Sequence, residues 1–170
     1  MLLPLMDGLA KFLSHDIHFL QVVWGRYFFI NFFSILITFF FFKKHLNFPK
    51  LIRIQILRSS FLFLSTVFFF YAISVISLAE ALTLSFTSPI IATILSFVVL
   101  KEKVGPRRWI AVMTGFIGVL FVIRPGFNEI NLAIVAAVGA GICYAFYLII
   151  TRKLSSIDSP LMTLVFTGFT

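Results

Sequence analysis

Long apolar runs separated by short charged segments follow one another along the chain. A helix that crosses about 30 Å of hydrocarbon needs roughly 20 apolar residues. Six runs come near this length, and a seventh begins at the end of the sequence. We predict helices over 1–14, 17–42, 59–78, 80–100, 109–123 and 130–151, with a further helix starting in 159–170. The pattern predicts an all-α polytopic membrane bundle.

A tight turn is predicted at the segment SLAEA, because Glu80 is the only charge between positions 59 and 100. This stretch is long enough for two spans, and Glu80 lies at its middle. We interpret Glu80 as a solvated helix cap at this turn rather than as a proton carrier.

Composition supports a membrane protein. The chain is 61% hydrophobic and 12% charged, whereas a soluble domain has roughly 25% charged residues. The net charge of +8 does not indicate a nucleic-acid partner, because the basic residues fall in short loops between apolar runs. Cys143 is the only cysteine, so an intrachain disulfide is excluded.

Basic residues alternate between the two sides of the predicted bundle. Segments 43–58, 101–108 and 152–153 hold five, four and two Lys or Arg residues, 11 of the 14 in the chain. Basic loops stay in the cytoplasm. We therefore predict a cytoplasmic amino terminus in a cell membrane, which we take to be the bacterial inner membrane, with turns 14–18, 77–80 and 124–129 outside.

The two ends suggest a longer protein and an internal repeat. The first predicted helix would be about 21 Å long, too short to cross alone, and the last run stops early, so we expect a fragment. KFLS at 11–14 aligns with RKLS at 152–155. A repeat after five spans must be inverted, as in many secondary transporters. Chance similarity between apolar helices is the alternative.

Arg26 is the only charge between Phe19 and Phe42. An arginine at the bilayer centre costs about 2.5 to 3.5 kcal/mol, and such residues usually have a function and an opposite charge nearby. Counting from a turn near residue 16 places Asp7 at the depth of Arg26. We predict that Asp7 and Arg26 form a charge pair in a substrate site. Lys11 could compete for Asp7, and Arg26 could instead extend toward the membrane surface.

The same counting about Ala79 and Glu80 places Tyr71 level with Ser88. We therefore add Tyr71 and Ser88 to the candidate substrate site, with packing as the alternative. Small residues and a proline near this depth are predicted to allow close helix packing and a helix break. These packing candidates are Ser85, Pro89, Ala92, Gly115 and Gly118.

No catalytic or cofactor motif accompanies these residues. The sequence contains neither a glycine-rich phosphate loop after a strand nor a nucleophile elbow. His15, Asp16 and His18 share one turn, but nothing nearby completes a metal site. We expect no enzyme activity, no cofactor and no metal.

Several stretches resemble one transporter family. They are MDGLAKFLS, LQVVWGRYFF and the run from Ala79 to Gly126, with its Ser-Pro, Lys-Glu-Lys, Gly-Pro-Arg-Arg-Trp and Arg-Pro-Gly motifs. Together they resemble the first five-helix module of the EamA-type branch of the drug/metabolite transporter superfamily. CYAFYLIITRKLS resembles the first helix of a second module.

This resemblance implies a ten-helix carrier of two inverted modules with both termini in the cytoplasm. Residues 1–126 would be the first module, truncated at its amino end, and 127–170 the start of the second. The Met-Asp-Gly and Trp-Gly-Arg stretches are most similar to S-adenosylmethionine and riboflavin uptake carriers. The expected partners are the lipid bilayer and a small polar solute, with coupling to protons or to solute exchange. A non-transporting membrane scaffold or subunit is the alternative.

Overall fold

The computed structural model describes residues 8–12, 17–41, 51–101, 105–123 and 131–155. All regular secondary structure in these ranges is helical, which confirms the all-α prediction. Residues 8–12 are called α1. The further helices are α2 (Phe19–Phe41), α3 (Ile52–Val75), α4 (Leu78–Ser85), α5 (Thr87–Val99), α6 (Pro106–Ile123) and α7 (Leu132–Leu154).

Four stretches are long and apolar enough to cross a membrane. They are Phe19–Leu36, Ile52–Val75, Leu78–Val99 and Leu132–Leu154, the third being α4 and α5 together. The chain is therefore a multi-pass membrane protein. The last predicted span, 159–170, lies outside the described residues.

Helix α3 begins at Ile52, seven residues before the predicted start at 59. Arg53 and Arg58 had suggested a cytoplasmic loop, and this boundary was wrong. Arginine and glutamine are good helix formers, and Arg58 is only 1% exposed because it packs within the bundle. Arg58 is therefore a buried helical residue and not a loop residue.

The turn between α3 and α4 lies at residues 76 and 77, about three residues earlier than the predicted centre. Ser77 caps α4. Its hydroxyl accepts from the Glu80 backbone N–H, and the Ser77 N–H donates to the Glu80 carboxylate, each at 3.2 Å. This reciprocal capping box confirms the cap role predicted for Glu80.

Lys11 joins α1 to this turn. Its ammonium group donates to the carbonyl oxygens of Ile73 and Ile76 at the carboxyl end of α3. The last carbonyls of a helix lack intrahelical donors, and a cation there interacts favourably with the helix dipole.

The fourth predicted span consists of two helices. Phe86 ends α4 and precedes α5. Pro89 has no N–H, so it cannot donate to the carbonyl of Ser85 four residues earlier. The break therefore lies within the membrane-spanning stretch.

Helix α7 is the centre of the bundle. It packs along α3 and against α4 and α5, while α2 packs on α3 and α6 packs on α4 and α5. Small side chains allow the close approach: Ala133, Ala137, Ala140 and Ala145 of α7 are nearly or fully buried. Most described side chains of α6 are exposed, with Val112 as its buried contact.

Candidate functional site

A cavity of about 350 Å³ lies among α2, α3, the α4–α5 break and α7. Its polar lining residues are Arg26, Ser65, Thr66, Ser85, Ser88 and Tyr144. Phe69 and Phe86 form part of the apolar wall of the cavity. The cavity thus collects polar side chains from several elements at the middle of apolar helices.

Arg26 brings the positive charge to this cavity. It lies seven residues after the start of α2, about 10 Å along the helix axis. The guanidinium carbon is 5.6 Å from the centre of the Phe70 ring, within the range of a cation–π contact. Glu80, which caps α4, is the only acidic residue in the described ranges. A guanidinium has five N–H donors, which can bind an anion or a carbonyl oxygen in the cavity.

Three hydroxyl groups of the cavity wall donate their hydrogens to backbone carbonyls. Ser65 donates to the Ala140 carbonyl oxygen of α7 at 2.9 Å. Ser85 donates to Ala81 at 2.8 Å, and Thr66 donates to the Leu62 carbonyl oxygen at 2.9 Å. Each hydroxyl has one hydrogen and two lone pairs. Since the hydrogens are used on carbonyls, these oxygens can still accept from a polar solute.

Thr66 also connects α3 to α2. The Tyr27 hydroxyl lies 3.2 Å from the Thr66 hydroxyl oxygen. Because Thr66 donates to its own helix, Tyr27 is the donor in this contact. The bond fixes the helix that carries Arg26 against the cavity wall.

Gly141 allows α7 to approach the break between α4 and α5. A Cβ at this position would lie 2.6 Å from the Thr87 hydroxyl oxygen and 3.3 Å from the Ser85 carbonyl oxygen. Thr87 is held in place by a 2.8 Å hydrogen bond to the Leu84 carbonyl. The cavity therefore depends on the absence of a side chain at residue 141.

The structure brings together two of the four predicted substrate residues, Arg26 and Ser88. Tyr71 lies apart from the cavity lining and packs edge-on against Phe19, with 5.6 Å between ring centres. Counted from the observed turn, Ser65 rather than Tyr71 is level with Ser88. The predicted partner of Arg26, Asp7, lies outside the described residues.

The predicted packing residues divide between two cavities. Ser85 lines the polar cavity, whereas Pro89, Ala92, Gly115 and Gly118 line a second cavity of about 650 Å³ between α4, α5 and α6. A Cβ at either glycine would meet no atom within 4 Å. In this structure Gly115 and Gly118 border an open groove instead of a close helix contact.

The smaller cavity is the better candidate for a solute site. The polar residues of the larger cavity are Arg108, Thr83 and Thr93, whereas Arg26 shares the smaller cavity with five residues that carry a hydroxyl group. The remaining lining residues of the larger cavity are apolar or glycine. A solute site combines apolar walls with a few convergent polar groups, and the smaller cavity shows this combination.

Sequence reasoning missed Ser65, Thr66, Tyr144 and Gly141. The first two are adjacent polar residues in an otherwise apolar part of α3, and Tyr144 lies in the apolar α7. Polar residues inside apolar spans are the available signal. Counting depth along single helices could not show that all four meet, because that depends on how α3 and α7 pack.

Comparison with known proteins identifies relatives of the whole described bundle. The EamA-like transporter family matches residues 7–124. The riboflavin transporter of Vibrio cholerae is 44% identical over 87 residues, covering 51% of this chain and 29% of that protein. The S-adenosylmethionine uptake transporter of Rickettsia felis is 29% identical over 164 residues, covering 95% of this chain and 55% of that protein.

A third relative, the riboflavin transporter of Brucella anthropi, is 30% identical over 90 residues, 53% of this chain and 32% of that protein. The chain spans about half the length of the S-adenosylmethionine relative, and the alignments to the riboflavin relatives cover a smaller share. No solved structure matches this chain. The names of these relatives agree with the subgroup that the sequence motifs resemble.

Proposed function

This chain belongs to the EamA-like transporter family, and on that premise we propose that it forms part of a secondary carrier for a small polar organic metabolite. The carrier would act in the cell membrane without hydrolysing ATP. The observation that supports this most directly is the polar cavity in which Arg26 faces a broken helix. Broken helices next to a polar site near the membrane centre are typical of secondary transporters.

In the proposed organisation a first five-helix module, truncated at its amino end, precedes the start of a second module. The family match over residues 7–124 supports a module boundary near 126. Coverage of 55% of the S-adenosylmethionine relative supports a carrier about twice as long as this chain. The amino terminus would lie in the cytoplasm, as the basic loops suggest. If a membrane-impermeant thiol reagent labelled Ser77→Cys only from the cytoplasmic side, this orientation would be contradicted.

The proposed solutes are metabolites of the kind named in the relatives, riboflavin or S-adenosylmethionine. Both combine a planar heterocycle with several hydrogen-bonding groups. The cavity supports such a solute because Arg26 supplies donors while Ser65, Thr66 and Ser85 supply acceptors. Transport would be coupled to protons or to solute exchange, and uptake into vesicles with and without a pH gradient separates these two mechanisms.

Replacement of Arg26 tests the proposed site. We expect Arg26→Leu to lower uptake of the solute at least tenfold, because a hydrogen bond to a charged group contributes about 1.5 to 3 kcal/mol. Arg26→Lys should keep part of the uptake, since the charge remains but the planar fork is lost. Uptake of labelled riboflavin and S-adenosylmethionine by cells that express the complete carrier provides the measurement.

Trp24→Leu is the matched control, because Trp24 lies on the same helix but is exposed on the outside of the bundle. Equal amounts of each variant in the membrane must be verified by immunoblot. Wild-type uptake by Arg26→Leu would exclude Arg26 from the site. Asp7→Asn in the same assay examines the proposed charge pair, and unchanged uptake would remove Asp7 from the account.

A further inference from the structure

The cavity has an aromatic end wall. Tyr144 lines the cavity one turn after Ala140 and Gly141 on α7, and its side chain is 39% exposed. It is the cavity's aromatic residue with a hydroxyl group. Its ring is therefore accessible to a molecule that occupies the cavity.

A second tyrosine holds this ring in place. The ring centres of Tyr144 and Tyr147 are 5.6 Å apart and the planes are 29° from parallel, so the two rings stack. Residues three positions apart lie on one face of a helix. Tyr147 thus packs against Tyr144 on the side further along α7, away from Gly141.

Arg58 completes the arrangement from the neighbouring helix. Its guanidinium carbon is 5.4 Å from the centre of the Tyr147 ring, and the side chain is 1% exposed. Gln55 and Ser59 of the same helix are also buried beside it. A buried cation in a membrane span is costly and usually has a role. Arg58 lies one helical turn before Leu62, which lines the cavity. The contact between Arg58 and Tyr147 is therefore just outside the cavity.

We propose that Tyr144 is the platform on which a planar heteroaromatic ring of the solute stacks, and that Tyr147 and Arg58 are positioning residues for this platform. The inference rests on the proposed function. The solute ring lies against Tyr144, and Arg26 binds its polar edge from α2. Stacking on an aromatic side chain tolerates different heterocycles, because each has a π face. This explains how one site can accept more than one ring system.

Fluorescence of bound riboflavin tests direct stacking. A phenol quenches flavin fluorescence by electron transfer, whereas a phenyl ring does not. We expect the wild-type protein in lipid nanodiscs to quench riboflavin on binding. Tyr144→Phe should bind riboflavin with an affinity within about twofold of wild type, because a phenyl ring can also stack on the flavin. It should quench the fluorescence less. Tyr144→Leu should bind about tenfold more weakly or worse, the loss expected for one stacked ring.

Arg58 is tested through its coupling to Tyr144. Arg58→Met should weaken riboflavin binding when Tyr144 is present. In a protein that already carries Tyr144→Leu, Arg58→Met should cause no further loss of affinity. If Arg58→Met does not fold, Arg58→Lys, which keeps the positive charge, takes its place in this test. Arg53→Met is the control, because Arg53 is exposed on the same helix.

The outcomes separate the platform from the carrier function. Riboflavin binding by Tyr144→Leu at wild-type affinity would overturn the platform and leave the carrier in place. Additive effects of Arg58→Met and Tyr144→Leu would overturn the positioning role. Binding of neither riboflavin nor S-adenosylmethionine by the wild-type protein would overturn the proposed function together with this inference.

Discussion

The broken α4–α5 span has two sides that differ in packing. Toward α7, Gly141 comes so close that a Cβ would lie 2.6 Å from Thr87. Toward α6, a groove of about 650 Å³ remains, and Gly115 and Gly118 have open space beside them. The same two helices therefore support one tight interface and one loose interface.

The difference follows from how helices associate in lipid. Lipid tails are as apolar as leucine, so apolar side chains gain little by leaving lipid for another helix. Close contact needs small residues and interhelical hydrogen bonds. The α7 side has small residues such as Gly141 at the contact, and the Ser65 bond to Ala140 holds α7 on the neighbouring α3. Among the described side chains of α6, Val112 is buried and most of the others are exposed.

The largest expected effect comes from filling the tight interface. Gly141→Ala should lower the free energy of unfolding by about 1 to 3 kcal/mol, because overpacking forces neighbouring groups to move. Gly118→Ala is the control and should leave this free energy unchanged or raise it by up to about 1 kcal/mol through helix propensity. Unfolding of the detergent-solubilised protein by SDS, followed by circular dichroism, gives both values.

A second variant makes this comparison stricter. Thr87→Ala removes the nearest atom in the way, so it should restore part of the stability lost in Gly141→Ala. Equal stabilities for Gly141→Ala and Gly118→Ala would show that the two interfaces do not differ in packing.

An intermediate effect is expected from the bond between α3 and α7. Ser65→Ala should lower the free energy of unfolding by about 0.6 to 1.7 kcal/mol, from the average to the maximum measured for hydrogen bonds between membrane helices. Ser60→Ala is matched to it, since Ser60 is exposed and donates to Ile56 of its own helix. The same SDS titration measures the difference, and a loss in Ser60→Ala as large as in Ser65→Ala would argue against a special role of the interface.

The smallest effect is expected for the hydroxyl that joins α2 to α3. Thr66→Val keeps the side-chain shape and removes the Tyr27 contact, which should cost about 0.5 kcal/mol. Thr114→Val on α6 removes a hydroxyl that donates within its own helix, so no measurable loss is expected. A double-mutant cycle with Tyr27→Phe isolates the contact, and a coupling free energy of zero would remove it from the bundle's stabilising bonds.

The sequence alone was sufficient for the class of fold and for part of the site. Hydropathy and length predicted a helical membrane bundle, the turn near Glu80 and its cap, and the family motifs predicted the EamA-like relationship. These features depend on local composition and on residues close in the chain. Arg26 was also identified this way, because a charge inside an apolar run is visible without any tertiary contact.

Only the tertiary structure decided which side chains meet. The α3–α4 turn lies three residues earlier than predicted, so Ser65 rather than Tyr71 is level with Ser88, and packing of α7 on α3 places Arg58 against the Tyr147 ring. Arg58 could be assigned to a loop from sequence because charge favours loops, yet the contact with Tyr147 buries it. Sequence patterns give depth along each helix, whereas the rotation and spacing of helices depend on small residues such as Gly141 at their contacts.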